Sequence, residues 1–220
     1  MQDDARCIAA ARALDIVVVS ADYRLAPHDP YPAALDDCHV VWRWLLHRAP
    51  ERDIDVTRLA IGGQSAGGGL SAALVQRLHD EGGPQPVAQW LFCPMLDDRT
   101  AADRSLDAVD HFVWSNASNR VGWTSYLGQE PGADTTAPYA VPARRRDLSG
   151  LPAAWIGTGD IELFRDEDRA YAAALEAAGV DATLDEVAGA PHAFETLAPR
   201  APVTVAYMER ATGWLGERLG

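Results

Sequence analysis

Short β-branched runs separated by stretches of helical spacing leave this chain few ways to fold. Ile16 to Tyr23 (IVVVSADY), Arg58 to Gly63 (RLAIGG), Val87 to Leu96 (VAQWLFCPML), Ala153 to Gly159 (AAWIGTG) and Ala182 to Val187 (ATLDEV) read as strands. Helical stretches lie between them. Pro32 to Ala49 opens with a proline at a first helical position, the run from Ser71 is stopped by Gly82, Gly83 and Pro84, and the run from Glu167 ends at Gly179. Strands joined by helices of this length pair in parallel and are covered on both faces, which is why they read as nearly continuous apolar runs. The expected class is α/β, with a mostly parallel sheet flanked by helices.

The 220 residues are 48% hydrophobic, enough for one sizeable core, and no internal repeat or low-complexity tract divides them. A single domain over residues 1–220 is expected. One segment breaks the rhythm: from Asp97 to about Gly150 there is no strand pattern, and Phe112, Trp114, Trp123, Tyr126 and Tyr139 are scattered through it. Structureless loops of this length are uncommon inside a compact domain, and the aromatic content points to a folded, lid-like insertion over about 97–150.

Lys and Arg total 19 against 32 Asp and Glu, a formal charge of -13. Such a surface repels phosphate backbones and anionic headgroups, so neither nucleic acid nor a membrane is expected as a partner. The acidity itself reads as solubility. Cys7, Cys38 and Cys93 are odd in number and widely spaced, which suggests buried, reduced thiols and neither a disulfide framework nor a metal site. Residues 1–15 carry charges throughout and read as an amphipathic helix, unlike a secretory leader, and no run is long enough to span a bilayer. A cytoplasmic location is expected.

The chemistry is concentrated at Gly63-Gln64-Ser65-Ala66-Gly67, a G-x-S-x-G between a strand and a helix. A serine hydroxyl becomes a nucleophile only when a base takes its proton and the backbone holds it where a carbonyl can reach. A sharp strand-to-helix turn does the holding, and glycines two residues either side of Ser65 are expected to remove Cβ atoms that would collide there. The Ala66 N–H, at the positive end of the helix that follows, is a candidate oxyanion donor. A phosphate-binding loop is the competing reading, but no lysine stands in the required position.

Of the six histidines, His28, His39, His47, His79, His111 and His192, only His192 lies in a loop after the last strand, where a base for Ser65 belongs. The third member of such a triad is a carboxylate after the strand Ala153 to Gly159. Asp160 and Glu162 both qualify, while Asp166 and Glu167 read as first-turn helix residues favourable to the dipole.

Asp22-Tyr23-Arg24-Leu25-Ala26-Pro27, then Tyr31-Pro32-Ala33-Ala34-Leu35-Asp36-Asp37, then Gly62-Gly63-Gln64-Ser65-Ala66-Gly67-Gly68 together resemble the hormone-sensitive-lipase family of α/β-hydrolase carboxylesterases. The resemblance runs the length of the chain. In that family the acid precedes a hydrophobic pair and Arg-Asp-Glu, a pattern filled here by Glu162-Leu163-Phe164-Arg165-Asp166-Glu167, which selects Glu162 over Asp160. The resemblance implies hydrolysis of short to medium chain carboxylic esters through an acyl-serine, with no metal or cofactor. Catalysis falls to Ser65, His192 and Glu162, with Ala66 at the oxyanion. Trp114, Trp123 and Tyr126 in the lid-like segment are candidates to line the substrate site.

The chain departs from the family in lacking its H-G-G-G segment, which follows a strand expected between those at Ile16 and Arg58. The expectation is therefore that Met1 is an internal methionine and that N-terminal strands are missing. Two rival functions stand beside the esterase: a non-catalytic small-molecule receptor of the same fold, which needs no triad, and an amidase or peptidase using the same residues. Apolar residues on the last helix, Val203 to Leu219, suit packing on the sheet or against a second copy in a homodimer.

Overall fold

The computed structural model describes residues 4–220, so the first three residues of the expected N-terminal helix lie outside the described residues. In chain order the elements are α1 (Asp4–Leu14), α2 (Ala33–Arg48), β1 (Ala60–Gln64), α3 (Ala66–Glu81), β2 (Ala88–Phe92), α4 (Asp98–Ala102), α5 (Asn116–Leu127), β3 (Ala153–Gly159), α6 (Arg165–Ala177), β4 (Ala182–Val187), α7 (Phe194–Leu197) and α8 (Pro202–Leu219). The four strands form one sheet in the order β1-β2-β3-β4, every pair parallel. Each strand therefore lies beside the next in sequence, and each passage runs through helical structure, as parallel pairing requires.

Alternation along the strands sorts the core into two layers. In the register Trp90↔Trp155 and Leu91↔Ile156, the aromatic pair faces one way and the aliphatic pair the other. Leu91 and Ile156 pack with Ala72 and Val75 of α3 and Tyr171, Ala172 and Leu175 of α6. Trp90, Phe92 and Trp155 pack with Ala10 of α1 and Tyr207, Ala211 and Leu215 of α8. The last helix thus turns its apolar stripe onto the sheet, and Trp90 Nε1 donates to the Ala211 carbonyl at 3.0 Å.

The run Ile16 to Tyr23 is not a strand, contrary to its pattern. A strand needs a neighbour to satisfy its backbone groups, and among the described residues β2 is the only strand that pairs with β1. Val17, Val18 and Val19 are accordingly exposed, and β1 is only partly buried where β2 is buried throughout. Of the three free cysteines only Cys93 is buried; Cys7 and Cys38 are half-buried, which corrects the expectation for those two.

Residues 97–150 contain α4, α5 and short 3-10 turns, and no strand. The segment is tied down by a buried ion pair: Asp98, fully buried, receives Arg144 Nε at 2.7 Å and Nη2 at 3.0 Å, and also accepts from the Gly132 N–H. No described helix is long and apolar enough to cross a membrane.

Candidate active site

Parallel strands in one sheet point their carboxyl ends the same way, so the loops that leave them converge. Ser65 follows β1, Cys93 follows β2, Glu162 follows β3 and His192 follows β4. The sheet alone thus gathers residues up to 127 positions apart at one edge.

Ser65 sits at φ 55°, ψ -119°, a region side-chain-bearing residues rarely adopt, and α3 begins at the next residue. Its backbone is pinned from three sides. Its N–H donates to the Phe92 carbonyl at 2.8 Å, and its carbonyl accepts from Gly69 N and Met95 N, each at 3.0 Å. Two glycines make the turn sterically feasible. A Cβ on Gly63 would fall 2.3 Å from the Gly67 carbonyl oxygen, and one on Gly69 would fall 2.1 Å from that of Met95. Gly67 was expected to matter in the same way and does not: a Cβ there meets nothing within 4 Å, because the chain has already turned into α3. Ala66 is the first residue of α3, so its N–H has no acceptor within the helix.

His192 Nε2 lies 2.9 Å from Ser65 Oγ, and His192 Nδ1 lies 2.8 Å from Glu162 Oε2. His192 and Glu162 are buried, and the imidazole is wedged edge-on to Phe164 with ring centroids 5.2 Å apart. Glu162 accepts two further hydrogen bonds, from Thr158 Oγ1 to Oε1 at 2.6 Å and from Phe164 N to Oε2 at 3.2 Å. Three donors around one carboxyl group fix its plane. Asp160, the alternative acid, does not reach the imidazole. Its Oδ1 accepts from Gly189 N at 2.6 Å, clamping the loop after β3 to the loop after β4.

The aromatic candidates separate. Trp114 has its ring centroid 6.4 Å from that of His192 and tilted 30° to it. Trp123 is buried in a cluster with Met95, Ala101, Leu163 and Phe164, and Tyr126 packs edge-on to it, so these two lie within the core that supports the site.

Some neighbours had no motif to announce them. Gln64 Nε2 donates to Glu195 Oε1 at 2.7 Å, and Arg6 donates to the same oxygen at 3.1 Å while its guanidinium lies over Phe92. This links the residue before Ser65 to the residue three after His192. Thr158 is a further one, and its signal was a lone hydroxyl in an otherwise apolar strand. Cys93, Glu162 and His192 are close enough to offer three atoms to a metal. They suit none: both His192 nitrogens are engaged, and burial pushes the Cys93 thiol well above its ordinary range, away from the thiolate a metal requires.

A strained serine on a strand-to-helix turn, hydrogen-bonded through a late-loop histidine to an acid, is the arrangement expected of one fold family, and the sequence model of the alpha/beta hydrolase fold family matches residues 1–196. The chain belongs to that family. Among curated relatives, the carboxylesterase NlhH of Mycobacterium tuberculosis is 38% identical over 187 residues, covering 83% of this chain and 57% of NlhH. The carboxylic ester hydrolase LipN of the same organism is 39% identical over 202 residues, covering 88% of this chain and 53% of LipN. The chain thus spans a little over half the length of these relatives. Among solved structures, the esterase LipW from Mycobacterium marinum superposes with a TM-score of 0.89 at 37% identity, over 98% of this chain and 67% of that one. A bacterial heroin esterase superposes with a TM-score of 0.94 at 34% identity, over 99% of this chain and 69% of that one.

Proposed function

We propose that this alpha/beta hydrolase chain is the catalytic part of a carboxylic ester hydrolase acting through an acyl-serine intermediate on short to medium chain esters. The observation that carries the reading is the unbroken line of hydrogen bonds from Ser65 Oγ through His192 to Glu162. Ser65 Oγ attacks the ester carbonyl as His192 Nε2 takes its proton. The imidazolium then returns that proton to the departing alcohol, and water repeats the sequence on the acyl-serine. Glu162 holds Nδ1–H, which directs the basic lone pair of Nε2 at Ser65, and its charge stabilises the imidazolium. Ala66 N–H donates to the oxyanion, helped by the positive end of α3.

Residues 97–150 act as the lid, with Trp114 lining the acyl or alcohol site beside His192 and with Trp123 and Tyr126 bracing it from the core. The names of the relatives, esterases and carboxylic ester hydrolases, support the choice of ester as substrate. The test is hydrolysis of p-nitrophenyl butyrate beside the corresponding p-nitroanilide, by the wild type and by Ser65→Ala. It is run on the 220-residue chain and on a version extended upstream, because an additional strand would pair at the free edge of β1. Ester turnover that vanishes in S65A supports the reading, turnover of the anilide at a comparable rate moves it to an amidase, and turnover of neither by either protein refutes it.

A further inference from the structure

Asp168 is fully buried in α6, and neither of its carboxyl oxygens has a hydrogen-bond partner. An acid in that position needs an explanation, since burial of an unpaired carboxylate is among the costliest placements a side chain can take. Its surroundings supply one. Glu162 and Glu167 both lie near enough to oppose its ionisation. The hydroxyl of Thr158 lies against it as well, but the single hydrogen of that hydroxyl is committed to Glu162 Oε1 at 2.6 Å.

Two carboxyl groups therefore compete for one hydroxyl. Glu162 has three donors and neither Asp168 oxygen has a partner, so Asp168 remains a neutral acid. Burial and the two neighbouring carboxyl groups act in the same direction, holding Asp168 well above the ordinary carboxylate range. A neutral acid has a hydrogen to give, and Thr158 Oγ1 has unused lone pairs.

We propose that Asp168 is a positioning residue, whose carboxyl hydroxyl donates to Thr158 Oγ1 and so keeps the Thr158 hydrogen directed at Glu162. The line then runs Asp168, Thr158, Glu162, His192, Ser65. Both arms of the line end on Glu162 as acceptor, so the Thr158 donor acts by fixing the plane in which the carboxylate receives His192 Nδ1–H. This inference rests on the esterase reading for its kinetic consequence, but its structural content does not depend on turnover.

The experiment compares wild type, T158V, D168L and D168N by three readouts: kcat and KM for p-nitrophenyl butyrate, thermal melting, and the low-field proton resonance of His192 Nδ1–H. T158V and D168L should each lower kcat about tenfold, the worth of one hydrogen bond, with KM nearly unchanged. They should also shift the resonance, as the carboxylate loses the donor that fixes its plane. D168N carries an amide that donates to Thr158 as the acid does, and should restore most of both. D168L is expected to melt no lower than D168N, which separates positioning from folding. A D168L enzyme with wild-type kcat and an unmoved resonance overturns the proposal, as does a D168N enzyme no better than D168L. If the wild type turns over no ester yet the resonance shifts in T158V and D168L and returns in D168N, the esterase reading fails and the hydrogen-bonded line stands.

Discussion

Replacing Glu162 by glutamine removes a charge and keeps the shape, and the donors around it decide which way the amide will sit. Oε2 faces two N–H groups, His192 Nδ1–H and Phe164 N–H, while Oε1 faces the Thr158 hydroxyl, which can accept as readily as it donates. Turning the NH2 towards His192 would set it against the Phe164 N–H and leave a buried donor unpaired, at a cost of about 1–3 kcal/mol. The glutamine oxygen therefore stays towards His192, and the imidazole keeps its proton on Nδ1. What is lost is the carboxylate charge opposite the imidazolium. With about 4 Å between charge centres and an effective dielectric constant of about 20, that charge is worth about 4 kcal/mol, a fall of about 10³-fold in kcat. Glu162→Ala also frees the ring, and its loss should approach the roughly 10⁴-fold that accompanies a misoriented base. The assay is kcat and KM for p-nitrophenyl butyrate in wild type, E162Q and E162A. An E162Q enzyme as impaired as E162A, or one whose loss falls on KM, would refute the argument from donor placement.

Three other perturbations have equally definite outcomes. Glu167 is buried, accepts from Leu96 N and Asp97 N, and meets the Thr100 hydroxyl; burial raises its carboxyl from an ordinary 4.5 to about 8. Its folded pKa lies above its unfolded one, so this contribution to stability is complete below about pH 4.5 and is lost as pH rises towards about 8. Urea melts of wild type should weaken over that window, and E167Q, an isostere of the neutral acid, should lack that part of the slope. Arg144→Met should cost about 3–5 kcal/mol by stranding the buried Asp98 carboxylate, and adding Asp98→Asn should recover part of the loss in the same urea assay. Gly63→Ala forces a Cβ against the Gly67 carbonyl and should cost at least the roughly 1–3 kcal/mol of overpacking, whereas Gly67→Ala, with open space at a helical position, should leave the melting temperature unchanged or raise it.

Those contrasts also mark what was legible in the sequence. β3 is found at the residues its apolar run predicted, because a strand paired on both sides is buried on both faces and its pattern is local; β4, at the edge of the sheet and half-buried, is found where its run predicted as well. Ile16 to Tyr23 has the same composition and forms no strand, because pairing is a relation between two segments and residue pattern speaks for only one of them. Ser65 and His192 could be picked out because each follows a strand and bears a reactive group, whereas Asp160 and Glu162 both follow β3 and only the family resemblance selected Glu162. Gly67 matched the motif as well as Gly63 did, yet only the three-dimensional path of the turn separates a crowded glycine from an unhindered one. Trp123 and Trp114 were equivalent aromatics in one segment until packing put one in the core and the other beside the imidazole. Thr158 and Asp168 carried no motif at all, since Thr158 matters through its hydrogen bond to Glu162 and Asp168 through its burial without a partner.

The sheet lays its strands side by side in the order in which a ribosome releases them. β1, α3 and β2 can dock as soon as they emerge, and with them the strained Ser65 turn, held by Phe92 and Met95. At that stage the serine lacks its histidine partner, because His192 follows β4, the last strand among the described residues. On the proposed mechanism a nascent or C-terminally clipped chain presents an inert hydroxyl, and reactivity arrives in one step, when β4 joins the edge of β3 and delivers the imidazole. If Ser65 is the nucleophile proposed above, the order of synthesis acts as its safety catch.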